Sequence, residues 1–282
     1  MFGSRAAVAP PPSPDGLAWL VVIAAVLTAF VGRTSSLVDA WKSEFIGTAI
    51  LVALTFPPGQ WWGLDQTILG MPCDWIFHAA GVVLADWTCG GPHVNPGITL
   101  TFFCLGKCEM AVAVVNVIAQ CSDATVGFLV CQAYAEARGW KPLSGPEVAP
   151  ELSGPSLATA CLHEFGAMVA LCLIVFAVNF EPPARYQAHR SFYFVKQTAT
   201  AIGVRAIIIL CPAAGPAINP ALAMGVYACA TGALPAYSAF WYVYWLASAA
   251  GALAAAAAYA LYTPKVSFFG TKLRAATKAK RK

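Results

Sequence analysis

Charged residues are scarce in this sequence. Of its 282 residues only 11% are Asp, Glu, Lys or Arg, whereas 59% are hydrophobic, and the mean hydropathy is +0.67. A soluble globular domain is about a quarter charged, and a disordered chain is much less hydrophobic than this one. The composition therefore excludes both classes, and it leaves room for six or seven membrane helices of about 20 residues.

The motifs of common enzymes and metal sites are also missing. The ten cysteines form no Cys-x-x-Cys pair, and the chain has neither a His-Glu-x-x-His motif nor a glycine-rich nucleotide motif. The sequence therefore predicts no enzymatic activity, no cofactor and no metal site. The cysteines are predicted to be reduced and to pack as small apolar residues.

Basic charge is concentrated at the C-terminus. The stretch 265–282 holds seven of the 17 Lys and Arg residues and no acid, so the rest of the chain has more acids than bases. A nucleic-acid-binding protein spreads its cations over a folded surface, and nucleic acid is therefore not a predicted partner. A basic tail that follows a membrane helix fits the cytoplasmic side and contact with anionic lipid.

Seven apolar runs are long enough to be considered as membrane helices. They are 17–32, 42–57, 71–90, 110–134, 157–180, 192–211 and 236–262. The first is short for a complete crossing and follows a proline-rich start. We interpret 17–32 as an extra N-terminal helix that is retained, and a cleaved signal peptide is the alternative.

Two shorter apolar runs, 94–105 and 218–230, each begin with an Asn-Pro dipeptide. Asparagine is a favoured helix N-cap and proline is favoured at the first helical position, so Asn95-Pro96-Gly97 and Asn219-Pro220-Ala221 predict abrupt helix starts. Helices of ten or eleven residues reach about 15 Å, which is half the thickness of a bilayer core. Two such half-helices meeting end to end would complete one crossing.

An internal repeat surrounds these half-helices. Glu44 precedes Asn95 by 51 residues, and Glu164 precedes Asn219 by 55 residues. Each copy contains three full spans, so the second copy starts from the opposite side and the two are inverted. The predicted organisation is an N-terminal extension (1–40), a first repeat (41–150), a second repeat (151–263) and a basic tail (264–282).

Paired half-helices have a specific electrostatic consequence. The N-terminus of a helix carries unpaired N–H groups and about half a positive charge, so two such ends facing each other repel cations. Asn95 and Asn219 could cap their helices and still offer an N–H to a passing solute oxygen. Simple helix capping without a pore is the alternative interpretation. Glu44 and Glu164 lie deep in the spans, and we expect them to brace the loops rather than to relay protons.

These residues and motifs resemble the aquaporins, also called major intrinsic proteins. The resemblance covers about 40–263, and it rests on the paired Asn-Pro boxes, Glu44-x-x-x-Thr48, Glu164, 118–121 and 245–252. It is strongest to a divergent branch, the superaquaporins of animals and the small basic intrinsic proteins of plants. Members of that branch alter the first box, which ends here in Gly97, and lack the usual arginine after the second.

The resemblance implies an all-α membrane fold of six transmembrane helices plus two re-entrant half-helices. It also implies a homotetramer and a selectivity filter near Trp75, Ile207, Pro216 and Leu222, where Leu222 replaces the arginine. His93 resembles the histidine beside the first box, as a pore-lining residue or as a partner in a local hydrogen bond. Arg205 is expected to face a neighbouring helix; with a shifted register it would supply the missing filter cation.

The predicted function is passive transport of water and small neutral solutes, with glycerol and hydrogen peroxide tolerated by the apolar filter and protons and cations excluded. The alternative is a scaffold or adhesion protein on the same fold with a closed pore. The lysines near the C-terminus resemble a retrieval signal of the endoplasmic reticulum. We therefore expect an intracellular membrane, with the plasma membrane as the alternative, and the tail is equally consistent with ordinary positive-inside topology.

Overall fold

The computed structural model describes residues 35–61, 67–68, 71–140, 142–187, 190–213, 215–264 and 266–273. Its helices are α1 (Ser35–Trp61), α2 (Cys73–Cys89), α3 (Pro96–Cys104), α4 (Met110–Ala137), α5 (Gly154–Asn179), α6 (Ala184–Gln187), α7 (Arg190–Leu210), α8 (Pro220–Thr231) and α9 (Ser238–Tyr262). Over Trp241–Ala247, α9 winds as a π-helix. Before α2, the two-residue strands β1 (Thr67–Ile68) and β2 (Met71–Pro72) pair antiparallel.

Several of these helices are long enough to cross a membrane. In the described part of the chain, four are both long and apolar enough by length and composition, namely α4, α5, α9 and the stretch Ser191–Leu210 of α7. The 27 residues of α1 and the 17 of α2 correspond to about 40 Å and 25 Å. The half-helices α3 and α8 have nine and 12 residues, or about 14 Å and 18 Å.

The helices pack in two groups around the half-helices. In one group α1 contacts α2 and α4, and α8 packs on α4; in the other α5 contacts α7 and α9, and α3 packs on α9. At Gly225 the approach of α8 to α4 is so close that a Cβ atom would lie 2.7 Å from the backbone carbon of Ala124. The buried core accordingly contains many small residues, which allow close helix packing inside a membrane.

Large apolar side chains cover the outside of the bundle. Examples that are more than half exposed are Val130, Leu162, Ile209, Leu210 and Leu246. Such a surface would aggregate in water, whereas it suits contact with lipid chains. The outward apolar surface and the long apolar helices make this a multi-pass membrane protein.

The segments that connect the helices lie at two ends of the bundle. Residues 105–109, 181–187 and 266–273 lie at one end, which we call the tail side: Tyr259 donates to Glu181, and the backbone N–H of Phe269 donates to the carbonyl of Cys104. Residues 67–68, 71–72, 138–140, 142–153, 211–213 and 215–216 belong to the other end, the opposite side. Residues 266–273 thus fold back onto the last turn of α3.

Most elements agree with the sequence expectations within a few residues, including both half-helices, which start at Pro96 and Pro220. The predicted N-terminal helix at 17–32 lies outside the described residues, and so do most of the basic tail positions. The hairpin of β1 and β2 was not foreseen, because two-residue strands leave no periodic pattern. The ten cysteines, all within the described residues, are free thiols.

Candidate functional site

Both half-helices begin at an asparagine that caps its own helix. The Oδ1 atom of Asn95 accepts from the N–H of Gly97 at 2.8 Å. The Oδ1 atom of Asn219 accepts from the N–H groups of Ala221 and Leu222 at 3.1 and 3.5 Å. Each cap satisfies backbone donors that a helix start otherwise leaves unpaired, and the proline that follows has no N–H to satisfy.

The two asparagines also tie the two loops together. Asn95 donates from Nδ2 to the carbonyl of Ile218 at 2.8 Å, and Asn219 donates from Nδ2 to the carbonyl of Val94 at 2.7 Å. The two helix starts therefore meet, although they are more than 120 residues apart in sequence. Because a carboxamide has two N–H groups, each asparagine keeps one further donor to offer.

The residue before each asparagine has a strained backbone. Val94 has φ 48° and Ile218 has φ 54°, in the left-handed region that β-branched residues rarely adopt. Such a conformation costs about 1–3 kcal/mol and persists only where the surroundings enforce it. At both positions the carbonyl accepts from an asparagine of the other loop, and the N–H donates to a glutamate.

Glu44 of α1 holds the loop before α3. Its Oε1 atom accepts from the N–H of His93 at 2.7 Å and from Asn116 at 3.0 Å. Its Oε2 atom accepts from the N–H of Val94 at 2.7 Å and from Gln120 at 2.8 Å. All four donors converge on a carboxyl group that is 2% exposed. This is the geometry of a structural brace, since every acceptor position faces a fixed protein group.

Glu164 of α5 occupies the matching position in the second repeat. Its Oε1 atom accepts from the N–H of Ile218 at 2.7 Å and from Ser248 at 3.0 Å. Its Oε2 atom accepts from the N–H of Ala217 at 3.1 Å. The backbone contacts of the two glutamates are equivalent, whereas the side-chain contacts are not.

His93 borders a cavity of the bundle and also makes a local hydrogen bond. Its Nδ1 atom lies 3.1 Å from the hydroxyl of Thr99 and 3.9 Å from Oε1 of Glu44. Gln120 donates to the same Thr99 hydroxyl at 3.0 Å. The first loop therefore sits in a network of polar side chains.

A cavity of about 360 Å³ extends from the tail side to the asparagine pair. Both asparagines, His93 and Leu222 border it, and three full helices contribute residues at helical spacing. These are His78, Val82 and Asp86 from α2, Leu171, Val175 and Asn179 from α5, and Lys196, Thr200 and Val204 from α7. The wall is polar at the tail side and mainly apolar beyond it, apart from the loop carbonyls, the asparagines and the histidines.

The four predicted filter residues are not all placed beside this cavity. Leu222 borders it, whereas Trp75, Ile207 and Pro216 are not part of its wall. Ile207 packs among buried apolar residues of α3, α5 and α9, and Pro216 is buried in the loop before Asn219. Of the predicted ring, the cavity wall therefore includes Leu222 and not the other three residues.

Arg205 faces α2, which confirms the expectation that it contacts a neighbouring helix. Its Nη1 atom lies 2.9 Å from Oδ2 of Asp74, and its Nη2 atom donates to the backbone carbonyl of Asp74 at 3.0 Å. The guanidinium is not part of the cavity wall. A guanidinium paired in this way is neutralised by its carboxylate rather than directed at a solute.

Asp123 is buried in α4, and its Oδ2 atom has no hydrogen-bond partner among the described residues. No cluster of His, Cys, Asp and Glu that could hold a metal ion occurs among the described residues.

Met168 explains why the first box ends in glycine. A Cβ atom on Gly97 would lie 2.7 Å from the sulfur of Met168, a fully buried residue of α5. In the second box the corresponding Ala221 is fully buried among apolar residues. The missing methyl group of Gly97 is thus replaced in the packing by a side chain from the other repeat.

Sequence reasoning missed two site residues, His78 and Asn116. His78 is a histidine inside an apolar span, which is itself a signal of function. Asn116 lies one helical turn before Gln120, so both amides face the same neighbour, Glu44. That spacing could have predicted the pair.

Comparisons with known proteins agree with this architecture. The chain matches the family described as Major intrinsic protein over residues 22–259. It is 30% identical to mouse (Mus musculus) Aquaporin-4 over 108 residues, which cover 36% of this chain and 33%, about a third, of that protein's length. Its fold is similar to the X-ray structure of the aquaglyceroporin from Plasmodium falciparum, with a TM-score of 0.60 and 18% identity, over 79% of this chain and 95% of that one.

The family match covers most of the chain, and the structural match independently gives the aquaporin-like fold. Both support a channel for water or small solutes rather than an enzyme. The protein is a member of the major intrinsic protein family, the aquaporins.

Proposed function

We propose that this protein is a passive channel for water and small neutral solutes, including glycerol and hydrogen peroxide, and that it excludes protons and cations. The observation that carries the proposal is the meeting of Asn95 and Asn219 beside a cavity. Each asparagine donates to the opposite loop and keeps a second N–H that a solute oxygen can accept. A solute with hydroxyl groups can exchange its water partners for these donors.

Exclusion of cations follows from the orientation of the half-helices. The N-termini of α3 and α8 each carry about half a positive charge, and both end at the asparagine pair. A cation at this point would meet two repulsive ends in a medium of low dielectric constant, where charge interactions are strong. A neutral solute meets no such barrier.

The size and wall of the cavity support solutes larger than water. Its volume of about 360 Å³ is an order of magnitude above the roughly 30 Å³ that one water molecule occupies in the liquid. Leu222, Val82 and Val175 present apolar surface along the wall. Such surface suits the carbon backbone of a polyol while the asparagines bind its hydroxyl groups.

The same proposal includes the branch of the family, the oligomeric state and the membrane in which the protein resides. We place the protein in the superaquaporin and small basic intrinsic protein branch because its first box ends in Gly97 and because Leu222 follows its second box. We expect a homotetramer with one pore in each subunit. The lysine-rich tail supports residence in the endoplasmic reticulum or another intracellular membrane.

A second candidate function is a scaffold on the same fold with a closed pore. It is favoured by one observation: the cavity borders Leu222 but not Trp75, Ile207 or Pro216. A channel requires a passage that continues to the opposite side, and a closed end at this level would prevent flux.

Stopped-flow measurements on the full chain in liposomes separate the two functions. The channel predicts permeability to water, glycerol and peroxide well above that of empty liposomes, with no proton leak. In Leu222→Arg, a donor and a positive charge enter the cavity wall, and we expect glycerol permeability to fall at least tenfold relative to water. Permeability equal to that of empty liposomes for all three solutes would reject the channel and favour the scaffold.

A further inference from the structure

His78 lies at the inner end of the cavity wall. It is the residue of α2 in that wall farthest from the tail side, followed by Val82, Ala85 and Asp86 at helical spacing. Its exposed fraction is only 6%. Burial of a histidine this deep in an apolar membrane helix costs free energy, so such a residue is usually functional.

Apart from the asparagine pair and the backbone of its two loops, the other residues that reach this end of the cavity are apolar. α5 runs toward the tail side and α7 runs away from it, so Leu171 and Val204 are their innermost contributions. Leu51 of α1 and Leu222 of α8 complete this part of the wall. At this end, His78 is therefore the side chain that can form a hydrogen bond in addition to the two asparagines.

One ring nitrogen of His78 has a hydrogen-bond partner and the other has none among the described residues. Its Nδ1 atom lies 3.1 Å from the hydroxyl of Thr55 on α1. Its Nε2 atom is buried and has no hydrogen-bond partner among the described residues. In a neutral imidazole one nitrogen donates and the other accepts, so Nε2 has a hydrogen bond to give or to receive whichever role Thr55 takes.

We propose that His78 is a specificity-determining residue, which hydrogen-bonds the hydroxyl group of a solute at the inner end of the cavity, in addition to the asparagine pair. This inference rests on the proposed channel function and adds the residue that selects among its solutes. A buried polar atom without a partner is unfavourable, so a solute that supplies the partner is favoured there over one that cannot. Thr55 is the positioning residue, since it holds the ring from the other side.

The charged groups nearest to His78 do not contact a solute in the cavity. Asp74 lies one helical turn before His78 on α2, and its carboxylate is paired with Arg205 of α7. Neither residue belongs to the cavity wall. The selection we infer thus depends on hydrogen bonding and not on a net charge at the wall.

The test compares water and glycerol permeability of the reconstituted full chain in four variants. His78→Leu removes the hydrogen bond at similar size, and we expect water permeability to fall about tenfold with a smaller fall for glycerol, whose carbon backbone tolerates an apolar wall. His78→Asn keeps a hydrogen-bonding group and should retain most of the water permeability. Thr55→Val frees the ring and should give an intermediate ratio.

His163→Leu is the matched control, because it makes the same substitution on α5 outside the cavity wall, where the Nδ1 atom of His163 accepts from the N–H of Ala213. Its permeability ratio should equal that of the original chain. If the original chain conducts and His78→Leu keeps its ratio, the role of His78 is rejected while the channel stands. If the original chain does not conduct, the proposed function falls, and the role of His78 with it.

If His78→Leu is recovered only as an aggregate, the comparison of Thr55→Val with His78→Asn decides. A ratio shifted in Thr55→Val and preserved in His78→Asn supports the inference. An unchanged ratio in Thr55→Val rejects it.

Discussion

The loops before the two half-helices share a backbone and differ in what supports it. In both, a left-handed β-branched residue precedes the asparagine, a glutamate receives two consecutive N–H groups, and the asparagine donates across to the other loop. Among the residues that the structure describes, the first loop adds Asn116, Gln120 and Thr99, whereas the second adds Ser248.

The features that both loops share are those that the paired helix starts require, and the features that differ are those that can vary. The strained residue, the glutamate and the asparagine recur, because the glutamate and the asparagine satisfy the backbone N–H and carbonyl groups of the strained residue. The side chains behind the glutamate are exchangeable, since a carboxyl group accepts equally well from an amide or a hydroxyl. The second loop accordingly has fewer hydrogen bonds to lose.

The largest expected difference between the loops concerns their glutamates. In Glu44→Gln an amide nitrogen replaces one oxygen and leaves two buried donors unpaired, because each oxygen of Glu44 accepts from two groups. In Glu164→Gln the amide can replace Oε2, which leaves only the N–H of Ala217 unpaired. At about 1–3 kcal/mol for each donor, the losses of unfolding free energy are about 2–6 and 1–3 kcal/mol.

Thermal unfolding of the purified variants in detergent, followed by tryptophan fluorescence, measures this order. Glu151→Gln, in an exposed loop, is the control and should unfold at the original temperature. A midpoint for Glu164→Gln equal to or below that of Glu44→Gln would contradict the difference in support that we describe.

The strained residues should respond unequally to glycine. Ile218→Gly relieves the positive φ but removes a side chain that is 2% exposed and packed in the core, so we expect a net loss of about 2–4 kcal/mol. Val94 is only half-buried, and Val94→Gly should stay within about 1 kcal/mol of the original stability. The same unfolding assay applies, and equal losses in both variants would show that packing at the two positions is equivalent.

The smallest expected effect concerns the two boxes themselves. Gly97→Ala places a methyl group against the sulfur of Met168, and we expect a loss of about 1 kcal/mol because the long methionine side chain can shift. The double variant Gly97→Ala/Met168→Ala should be more stable than the sum of the two single losses predicts. Strict additivity in unfolding measurements would show that Met168 does not determine the glycine.

Local signals made most of the fold predictable. The asparagine caps follow from residue preferences at helix starts, and the spans follow from apolar length, so their positions agree with the structure to within a few residues for α3, α8 and α9. Glu44 and Glu164 stand out because acids are rare in apolar spans. These features depend on the residues themselves and on their immediate neighbours.

The missed features depend on contacts between distant elements. The pairing of Arg205 with Asp74 joins α7 to α2, and the packing of Met168 on Gly97 joins the two repeats. Spacing within one helix cannot specify such partners. For the same reason family spacing alone could not show that the cavity wall includes Leu222 and His78 but not Trp75, Ile207 or Pro216.

The crossed hydrogen bonds between the loops have an evolutionary consequence. Each repeat carries both a donor asparagine and an acceptor carbonyl, so two copies of a single ancestral half, related by a twofold axis, would make the same two bonds. Fusion of those halves into one chain leaves the bonds intact and frees each half to change its own side chains. The different side-chain partners of Glu44 and Glu164 are the result expected from independent sequence change in the two halves after duplication.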